Sequence, residues 1–398
     1  MNYIIIGNGV AGTTAAETIR KTDPAGEIKI FSDEAFPFYS RIRLMEYLAG
    51  ELEMPKLQIR SNAWYDAQKI QLLLNTKIKE IDKDRKEVVT RSGERYAYDK
   101  LLLATGGYSF VPPIKGAEKP GVFTLRSLKD ARAIQTFAAG KTNALLIGGG
   151  LLGLEVGNSL RKTGLKVTVA EFFPRLLPRQ TDPACAALLQ GRLEQMGFHF
   201  YLGVVSKEIT GDDHAQGLLL EDGRSIETNL IIISAGVRPN LELGQNLGLK
   251  IGKAIPVSDR METEIPDIYA AGDGIEHKGM VYGIWPASEK QGQVAGLNMA
   301  GGTAEYTGTT PSNQLKVAGI DLLAAGDIDP EGKLLAFVDQ NQAAGTYRKL
   351  VLKDNQLVGS LLFGTLEGRK KILKALEEKK DLSAIKDQLA RFDLEALG

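Results

Sequence analysis

Two observations predict an α/β fold with two doubly wound parallel sheets and a small α+β domain at the C-terminus. The first is the pattern Gly-x-Gly-x-x-Gly, which twice follows a short apolar run, at Gly7, Gly9 and Gly12 and at Gly148, Gly150 and Gly153. The second is a change at Thr310, after which short strand-like segments precede two predicted helices, at 367–378 and 383–390, that are rich in Lys and Glu. A strand, a glycine turn and a helix in this order are typical of Rossmann-like dinucleotide-binding domains.

The first glycine turn organises the N-terminus. Residues 1–6 are apolar and β-prone, and residues 11–22 are predicted to form a helix. In such a unit Gly7 allows the tight turn, Gly9 lets the backbone approach a pyrophosphate, and Gly12 lets the helix pack on the strand. The N-terminal amides and the positive end of the helix dipole would face that pyrophosphate.

The second glycine turn repeats this plan between an apolar run at 144–147 and a predicted helix at 151–163. Each copy has acidic residues at the end of its next β-like run, Asp33 and Glu34 in the first and Glu171 in the second. A carboxylate at this position can accept hydrogen bonds from an adenosine ribose. Packing alone does not explain two complete fingerprints, so the sequence predicts two dinucleotide sites.

Two arginines follow the first acidic pair. Arg41 and Arg43 lie in an aromatic-rich loop, where they could bind phosphate or an electron-rich ring. Two surface charges in a solvated turn are the alternative interpretation.

A later apolar strand ends in Gly272 and Asp273. Asp273 is placed to accept hydrogen bonds from a ribityl or ribose hydroxyl in the crevice of a doubly wound sheet, whereas an ordinary Asx turn is the alternative. A helix is predicted to begin at Trp285, with Pro286 in its first turn. Its positive dipole end would lie near the same crevice.

The composition excludes several classes of function. Lys and Arg total 49 and so do Asp and Glu, so no net charge favours nucleic acid or an anionic membrane. No apolar stretch approaches the roughly 20 residues of a membrane span, and the N-terminus lacks a basic leader, so we expect a cytoplasmic protein. Cys185 is the single cysteine and the three histidines are scattered, so neither a redox dithiol nor a metal site is expected. Cys185 itself is expected to be a buried, neutral thiol.

Further motifs point to a known family. Ala104-Thr105-Gly106, Ala235-Gly236-Val237-Arg238-Pro239-Asn240 and Ile268-Tyr269-Ala270-Ala271-Gly272-Asp273 stand in order around the two glycine turns. The whole chain resembles the FAD-dependent pyridine nucleotide oxidoreductases of the glutathione-reductase structural class. Within it, Pro37-Phe38-Tyr39-Ser40-Arg41, Trp285-Pro286-Ala287 and Lys349-Leu350-Val351-Leu352-Lys353 are most similar to NADH:rubredoxin oxidoreductases and to the flavin module of the assimilatory nitrite reductase large subunit.

The resemblance implies four segments. Residues 1–110 and 240–309 would form the FAD-binding domain, residues 111–239 the inserted NAD-binding domain, and residues 310–398 a C-terminal α+β domain that often serves in dimerisation. A homodimer is therefore one option for this chain.

The resemblance also assigns roles to single residues. On the FAD side, the pyrophosphate would be held by Gly7, Gly9 and Gly12, and the adenosine ribose by Asp33 or Glu34. Ile78 would lie beside the adenine, Arg41 near the flavin, and Thr105 and Gly106 near the pyrophosphate crossing. Asp273 would bind the ribityl chain, and Gly272 and Trp285 complete the expected FAD-binding residues. On the NAD(H) side, the pyrophosphate would be held by Gly148, Gly150 and Gly153, and the ribose by Glu171. Gly236 would lie at the strand turn on this side, and Glu155 close to the nicotinamide.

Cysteines that other members of the family use are missing from this chain, which excludes several of the family's reactions. The redox cysteines of the disulfide- and peroxide-reducing members have no counterpart here, and one cysteine cannot supply the iron-sulfur and sirohaem domains of a complete nitrite reductase. We therefore expect an NADH dehydrogenase that passes electrons to a small iron-sulfur protein such as rubredoxin. A flavin subunit that serves a separate metal-containing reductase is one alternative, and an NADH-sensing flavoprotein is another.

Overall fold

The structure, a computed structural model, describes residues 1–309 and 312–398 and, for residues 312–317, the backbone alone. The chain divides into two compact units. The first comprises Met1–Arg43, Glu53–Tyr108 and Val237–Thr309, and the second comprises Leu44–Leu52, Ser109–Gly236 and Thr310–Gly398. The four-segment division is finer than these units and stays a prediction. Residue 310, where the C-terminal domain was expected to begin, lies outside the described residues.

The strands and helices of the described residues are as follows. The strands are β1 (Asn2–Ile6), β2 (Glu27–Phe31), β3 (Ile70–Leu73), β4 (Ile78–Asp82), β5 (Glu87–Thr90), β6 (Arg95–Ala97), β7 (Lys100–Leu103), β8 (Gly107–Ser109), β9 (Val122–Phe123), β10 (Asn143–Ile147), β11 (Lys166–Glu171), β12 (Phe198–Leu202), β13 (Ser206–Thr210), β14 (Gly217–Leu220), β15 (Ser225–Glu227), β16 (Ile231–Ile233), β17 (Val237–Pro239), β18 (Ile255–Pro256), β19 (Ile268–Ala270), β20 (Ile275–Glu276), β21 (Ser312–Val317), β22 (Ile320–Gly326), β23 (Leu335–Asn341), β24 (Thr346–Lys353) and β25 (Gln356–Phe363). The helices are α1 (Val10–Thr22), α2 (Leu44–Leu48), α3 (Met54–Leu57), α4 (Asn62–Ala67), α5 (Leu128–Ala138), α6 (Leu151–Lys162), α7 (Pro183–Gln195), α8 (Glu242–Asn246), α9 (Trp285–Met299), α10 (Arg369–Glu378) and α11 (Lys386–Ala390).

A parallel sheet in the order β19-β7-β1-β2-β3 forms the centre of the first unit. Strand β1 is apolar from Tyr3 to Ile6, and these four residues are buried on both faces of the sheet. Tyr3 and Ile5 belong to the apolar cluster that includes α1 and α9, whereas Ile4 and Ile6 belong to the cluster that includes β4 and β5. A continuous apolar run is what a central parallel strand requires.

The second unit contains a parallel sheet in the order β12-β11-β10-β16-β9. Leu145 and Ile147 of its central strand pack in a cluster with residues of the antiparallel sheet β13-β14-β15. Helix α6 lies on the other side, where Gly157 comes so close to Leu146 and Val167 that a Cβ would clash with Leu146.

The C-terminal part of the second unit is an antiparallel sheet in the order β21-β22-β25-β24-β23. Leu323, Leu350 and Leu362 of this sheet share an apolar cluster with Ile372 and Leu376 of α10. Two parallel sheets flanked by helices and one antiparallel sheet with its own helices confirm the predicted fold class.

The C-terminal helices differ from the sequence expectation. A helix was expected over 367–378, but α10 begins at Arg369 because Gly368 has a φ of 73°, which is outside the helical region. The helix expected over 383–390 consists of a 3-10 turn, Ser383–Ile385, followed by α11.

Candidate dinucleotide-binding sites

In the first glycine turn, between β1 and α1, the first and third glycines are closed, meaning that a side chain would clash there, and the second glycine is open. A Cβ at Gly7, where φ is 120°, would lie 2.0 Å from the carbonyl oxygen of Ala104, and a Cβ at Gly12 would lie 2.0 Å from the carbonyl oxygen of Gly7. A Cβ at Gly9 would meet nothing within 4 Å. Helix α1 has no side-chain cap and no acidic residue in its first turn, so its dipole faces the open position uncompensated.

Asn8, between two of these glycines, adds a polar group that the sequence pattern does not single out. Its Oδ1 accepts a hydrogen bond of 2.8 Å from the Tyr65 hydroxyl. Its Nδ2 is buried and has no hydrogen-bond partner among the described residues. An unpaired buried donor costs about 1 to 3 kcal/mol, and a phosphate oxygen at the turn is the kind of acceptor that would relieve that cost. The turn therefore fits a dinucleotide pyrophosphate.

The two acidic residues after β2, Asp33 and Glu34, differ in exposure and in hydrogen bonding. Asp33 is exposed, whereas the Glu34 carboxylate accepts hydrogen bonds from the Tyr39 hydroxyl and the Arg41 guanidinium. The same guanidinium lies 5.4 Å from the centre of the Tyr39 ring. Of the two carboxylates, Glu34 is therefore the oriented one, and Arg41, expected near the flavin, lies against it.

The turns that follow β7 and β19 are held by their neighbours in the first unit. Asn240 donates from Nδ2 to the carbonyl oxygen of Thr105 at 2.8 Å and from its backbone N–H to that of Gly106 at 2.9 Å. The N–H of Gly272 donates to Gln291 Oε1 at 2.9 Å, and Ser288 Oγ lies 3.4 Å from Asp273 Oδ1.

These turns and the first glycine turn meet at one edge of the sheet. Gly7, after β1, lies directly against the carbonyl oxygen of Ala104, after β7, because a Cβ at Gly7 would clash with that oxygen. A Cβ at Gly272, after β19, would lie 3.2 Å from Ala11 Cβ. The predicted residues at 7–12, 105–106 and 272–273 are thus brought to the carboxyl ends of adjacent strands, where doubly wound sheets bind ligands.

Helix α9 begins near this edge. Trp285 is its first residue, Pro286 follows, and no acidic residue lies in its first turn. The Trp285 ring packs against Phe38 with ring centroids 5.8 Å apart. Ile78, expected beside the adenine, is the first residue of β4 and is buried in an apolar cluster with Ile81 and Val88.

The second glycine turn, between β10 and α6, has the same construction. A Cβ at Gly148, where φ is 117°, would lie 2.3 Å from the carbonyl oxygen of Ser234, and a Cβ at Gly153 would lie 2.2 Å from that of Gly148. A Cβ at Gly150 would meet nothing within 4 Å, as at Gly9. Gly236, which follows β16, has a φ of 101° and equally open surroundings.

Glu171 closes this turn from the end of β11. Its Oε2 accepts a hydrogen bond of 2.5 Å from the N–H of Gly149, and its Oε1 accepts one of 2.8 Å from the N–H of Phe173. The residue is only 6% exposed, so the carboxylate is fixed in place beside the glycines. Arg175, further along the same loop, donates from Nη2 to the carbonyl oxygen of Pro178 at 3.0 Å.

Glu155 stands two residues after Gly153 in α6. Burial raises the pKa of its carboxyl group to about 7, because removal from water disfavours the charged form. The protonated form, which can donate as well as accept a hydrogen bond, therefore persists to a higher pH than in an exposed glutamate.

The single cysteine takes no part in either turn. Cys185 is fully buried in α7, and burial together with the charge of Asp182 raises the pKa of its thiol well above the usual range.

Within the described residues, no group of three or more His, Cys, Asp or Glu side chains could hold a metal ion. Nor has any described helix the length and apolar content needed to cross a membrane.

Comparison with known proteins identifies the family. The family described as pyridine nucleotide-disulphide oxidoreductase matches residues 1–292. The chain belongs to this family. A second family, the rubredoxin NAD+ reductase C-terminal domain, matches residues 311–380.

Individual relatives of the family cover nearly the whole chain. A nitrite reductase [NAD(P)H] of Bacillus subtilis is 37% identical over 382 residues, which are 96% of this chain and 48% of the relative, so the chain spans about half of its length. An NADH-rubredoxin oxidoreductase of Clostridium acetobutylicum is 31% identical over 383 residues, 96% of each protein. The solved structure of NADH:rubredoxin oxidoreductase from the same organism superposes with a TM-score of 0.83 at 30% identity and 96% coverage of both chains. The predicted resemblance is confirmed in both of its branches.

Proposed function

We propose that this chain is an FAD-dependent NADH reductase that passes electrons to a small iron-sulfur protein such as rubredoxin. The flavin would accept hydride from the nicotinamide and release electrons singly, which is chemistry that the cofactor supplies. The observation that carries the proposal is the matched construction of the two glycine turns. Each is closed at its first and third glycines and open at the second, beside an uncapped helix.

The first turn is proposed to hold FAD. The amides of Gly7, Gly9 and Gly12 and the start of α1 would bind the pyrophosphate, and Asn8 Nδ2 would gain an acceptor there. Glu34 would accept the ribose hydroxyls, with Asp33 as the exposed alternative. Thr105 and Gly106 are proposed to lie near the pyrophosphate of FAD, and Asp273, after Gly272, to bind its ribityl chain. The start of α9 at Trp285 would stabilise negative charge on the reduced ring. Arg41 near the flavin and Ile78 beside the adenine stay predictions.

The second turn is proposed to hold NAD(H). Gly148, Gly150 and Gly153 would bind the pyrophosphate, Glu171 the adenosine ribose, and Gly236 would leave room at the strand turn. The negative charge of Glu171 disfavours a 2′-phosphate and so supports NADH over NADPH. Arg175 and Arg179 keep NADPH as the alternative, since the buried Nε of Arg175 has no hydrogen-bond partner among the described residues. Glu155, the buried acid of α6, is proposed to lie close to the nicotinamide.

The choice of acceptor draws on the relatives. A C. acetobutylicum relative whose match covers 96% of this chain is an NADH-rubredoxin oxidoreductase. The single buried cysteine supports an acceptor that needs no thiol chemistry in this chain, as an iron-sulfur protein would be.

A second candidate is the electron-donating flavin part of a larger reductase. The observation that favours it is coverage, because this chain corresponds to 48% of the B. subtilis nitrite reductase. A metal-bearing partner that co-purifies with the chain would support this candidate over a free-standing reductase.

Anaerobic stopped-flow spectroscopy tests the proposal. The purified flavoprotein is mixed with NADH or NADPH, and the reduced protein is then mixed with oxidised rubredoxin. Fast bleaching by NADH and fast reoxidation by rubredoxin are expected. Bleaching without reoxidation would remove rubredoxin as the acceptor. No bleaching by either nucleotide would overturn the enzyme proposal in favour of a sensor or an incomplete complex. The cytoplasmic location and the homodimer stay predictions, which cell fractionation and analytical ultracentrifugation can check.

A further inference from the structure

The segment that follows Glu171, residues 172–181, packs directly on the second glycine turn. The N–H of Leu177 donates to the carbonyl oxygen of Gly149 at 3.1 Å. A Cβ at Gly149 would lie 2.8 Å from Leu176 Cδ2, so this side chain touches the turn. Leu176 and Leu177 are fully buried, and Leu177 has a φ of 49°, which a leucine adopts only where its surroundings impose it. The shape of the glycine turn therefore depends on how this segment is held.

The segment is held at its far end by Thr181 and Asp182. The Thr181 hydroxyl donates to the carbonyl oxygen of Leu176 at 2.8 Å, and the carbonyl oxygen of Leu177 lies 3.0 Å away. Asp182 is the N-cap of α7, where its Oδ1 accepts a hydrogen bond of 3.0 Å from the N–H of Cys185. One carboxylate oxygen thus fixes the start of the helix and leaves the other oxygen for a different partner.

That other oxygen is bound by the C-terminal sheet. Tyr347 of β24 donates to Asp182 Oδ2 at 2.6 Å, and Lys349 Nζ lies 3.2 Å from the same atom. Lys349 also donates to the carbonyl oxygen of Asp329 at 2.9 Å, which fixes the ammonium group within the sheet. Asp182, Tyr347 and Lys349 are each at least 95% buried, and burial beside the Asp182 charge raises the pKa of the Tyr347 hydroxyl. The phenol therefore stays a hydrogen-bond donor at any physiological pH.

We infer that Tyr347 and Lys349 are positioning residues for the nicotinamide nucleotide. Tyr347 and Lys349 fix the carboxylate of Asp182. Together with Thr181, Asp182 then fixes the end of the segment 172–181, and this segment positions Gly149 in the glycine turn. The C-terminal sheet thereby gives the second turn the shape that accepts a pyrophosphate. This inference rests on the proposed binding of NAD(H) at that turn.

The variant Tyr347→Phe tests the inference in the FAD-loaded protein. It removes one hydrogen bond to Asp182 and leaves the ion pair with Lys349. Binding of ADP-ribose, which has the pyrophosphate and both riboses but no nicotinamide, is measured by calorimetry. We expect the Kd to rise about threefold to tenfold, while the flavin content and the limiting rate of flavin reduction by NADH stay unchanged.

Tyr3→Phe is the matched control. Tyr3 is also buried and donates to an aspartate, Asp23, at 2.9 Å, but it lies in the first unit. If both variants lose similar stability and only Tyr347→Phe weakens ADP-ribose binding, the effect is one of position. Equal ADP-ribose affinity in the wild type and Tyr347→Phe would overturn the inference.

A double variant covers the role of the lysine. Lys349→Met alone leaves a buried aspartate without its cation, which can unfold the protein, so it is combined with Asp182→Asn. Asparagine still caps α7, and no buried charge remains unpaired. We expect the double variant to fold, to bind ADP-ribose at least as weakly as Tyr347→Phe, and to show faster hydrogen exchange in peptides that cover 148–153 and 172–181. Wild-type affinity in the folded double variant would also overturn the inference.

The two proposals fail in different ways. If the wild type does not bind ADP-ribose, the assignment of NAD(H) to the second turn is wrong and the inference falls with it. If the wild type binds ADP-ribose and the variants bind it equally well, the assignment stands and only the positioning role is lost.

Discussion

Gly9 and Gly150 differ from the other fingerprint glycines in the space around them. A Cβ at Gly7, Gly12, Gly148 or Gly153 would run into a carbonyl oxygen, whereas a Cβ at Gly9 or Gly150 would project into open space. Both open glycines have extended backbone that alanine also adopts. The closed glycines are needed for the fold, and the open ones are needed only by a ligand that must come close to the backbone.

Gly9→Ala and Gly150→Ala should therefore separate the two cofactors. We expect Gly9→Ala to lower FAD affinity about tenfold or more and Gly150→Ala to raise the KM for NADH by a similar factor, because each methyl group blocks one pyrophosphate. Each should change the stability of the unliganded protein by no more than about 1 kcal/mol. Flavin content, NADH kinetics and urea unfolding are the measurements. Loss of flavin from Gly150→Ala would contradict the assignment.

Glu155 makes the stability of the second unit depend on pH. Burial raises its pKa from the ordinary 4.5 to about 7 on folding, so the folded state binds the proton more tightly than the unfolded state. Stability from this group is fully present below about pH 4.5 and is lost as the pH rises through 7.

The variant Glu155→Gln should remove this dependence. Glutamine has the same shape and carries no charge, so the variant should be more stable than the wild type at pH 8, by at most about 3 kcal/mol, and at pH 5 by no more than about 1 kcal/mol. Urea unfolding midpoints at the two pH values test this in protein free of nicotinamide nucleotide. A constant difference between wild type and variant across this range would show that the carboxyl group titrates normally.

At the scale of elements, the contact between α1 and α9 positions the first site. Gly292 and Gly296 face the carbonyl oxygens of Ala11 and Ala15, and a Cβ at either glycine would come within 2.3 and 2.6 Å of those oxygens. The two helices can therefore approach closely enough for Gln291 to hold Gly272. A periodic apolar pattern in the sequence does not predict this contact, because glycine contributes to it through the absence of a side chain.

Gly292→Ala should destabilise the first unit by about 1 to 3 kcal/mol and promote loss of flavin, because the helices must separate to admit the methyl group. Gly191→Ala is the matched control. Gly191 lies within α7, its Cβ would meet nothing within 4 Å, and alanine there should stabilise the helix by up to about 1 kcal/mol. Urea unfolding followed by circular dichroism and flavin fluorescence compares the two variants. Equal stability of Gly292→Ala and wild type would show that the helices are free to move apart.

At the scale of the whole molecule, one buried cysteine restricts how electrons leave the flavin. Cys185 is enclosed in α7, and its thiol is held in the protonated form. A thiol in this state neither attacks a disulfide nor forms a sulfenate readily.

Cys185→Ala should accordingly leave both flavin reduction and transfer to the acceptor at wild-type rates. The native wild type should not react with an aromatic disulfide reagent until denaturant is added. Stopped-flow kinetics and thiol titration measure the two effects. A large loss of acceptor reduction in Cys185→Ala would place the thiol on the electron path.

The glycine turns show how much of the site could be predicted from the sequence. Gly7, Gly12, Gly148 and Gly153 meet backbone atoms of the same strand-turn-helix unit or of the adjacent strand, so a local pattern is enough to identify them. The apolar runs of β1 and β10 likewise indicate buried parallel strands because both faces of such strands are covered. The helix boundaries at 367–369 and 383–386 were less accurate, because a left-handed glycine and a 3-10 turn interrupt an otherwise helical composition.

The fold class, the family and the positions of the two turns could be predicted from the amino-acid order, since they depend on short-range backbone geometry that glycine and apolar residues impose. The groups that hold those turns are evident only in the folded chain. The hydrogen bonds concerned join residues far apart in the chain. Asn240 and Thr105 are 135 positions apart, Tyr65 and Asn8 are 57, and Tyr347 and Asp182 are 165. A buried polar group is satisfied by whichever partner the fold brings within hydrogen-bond distance, and no spacing in one dimension records that partner.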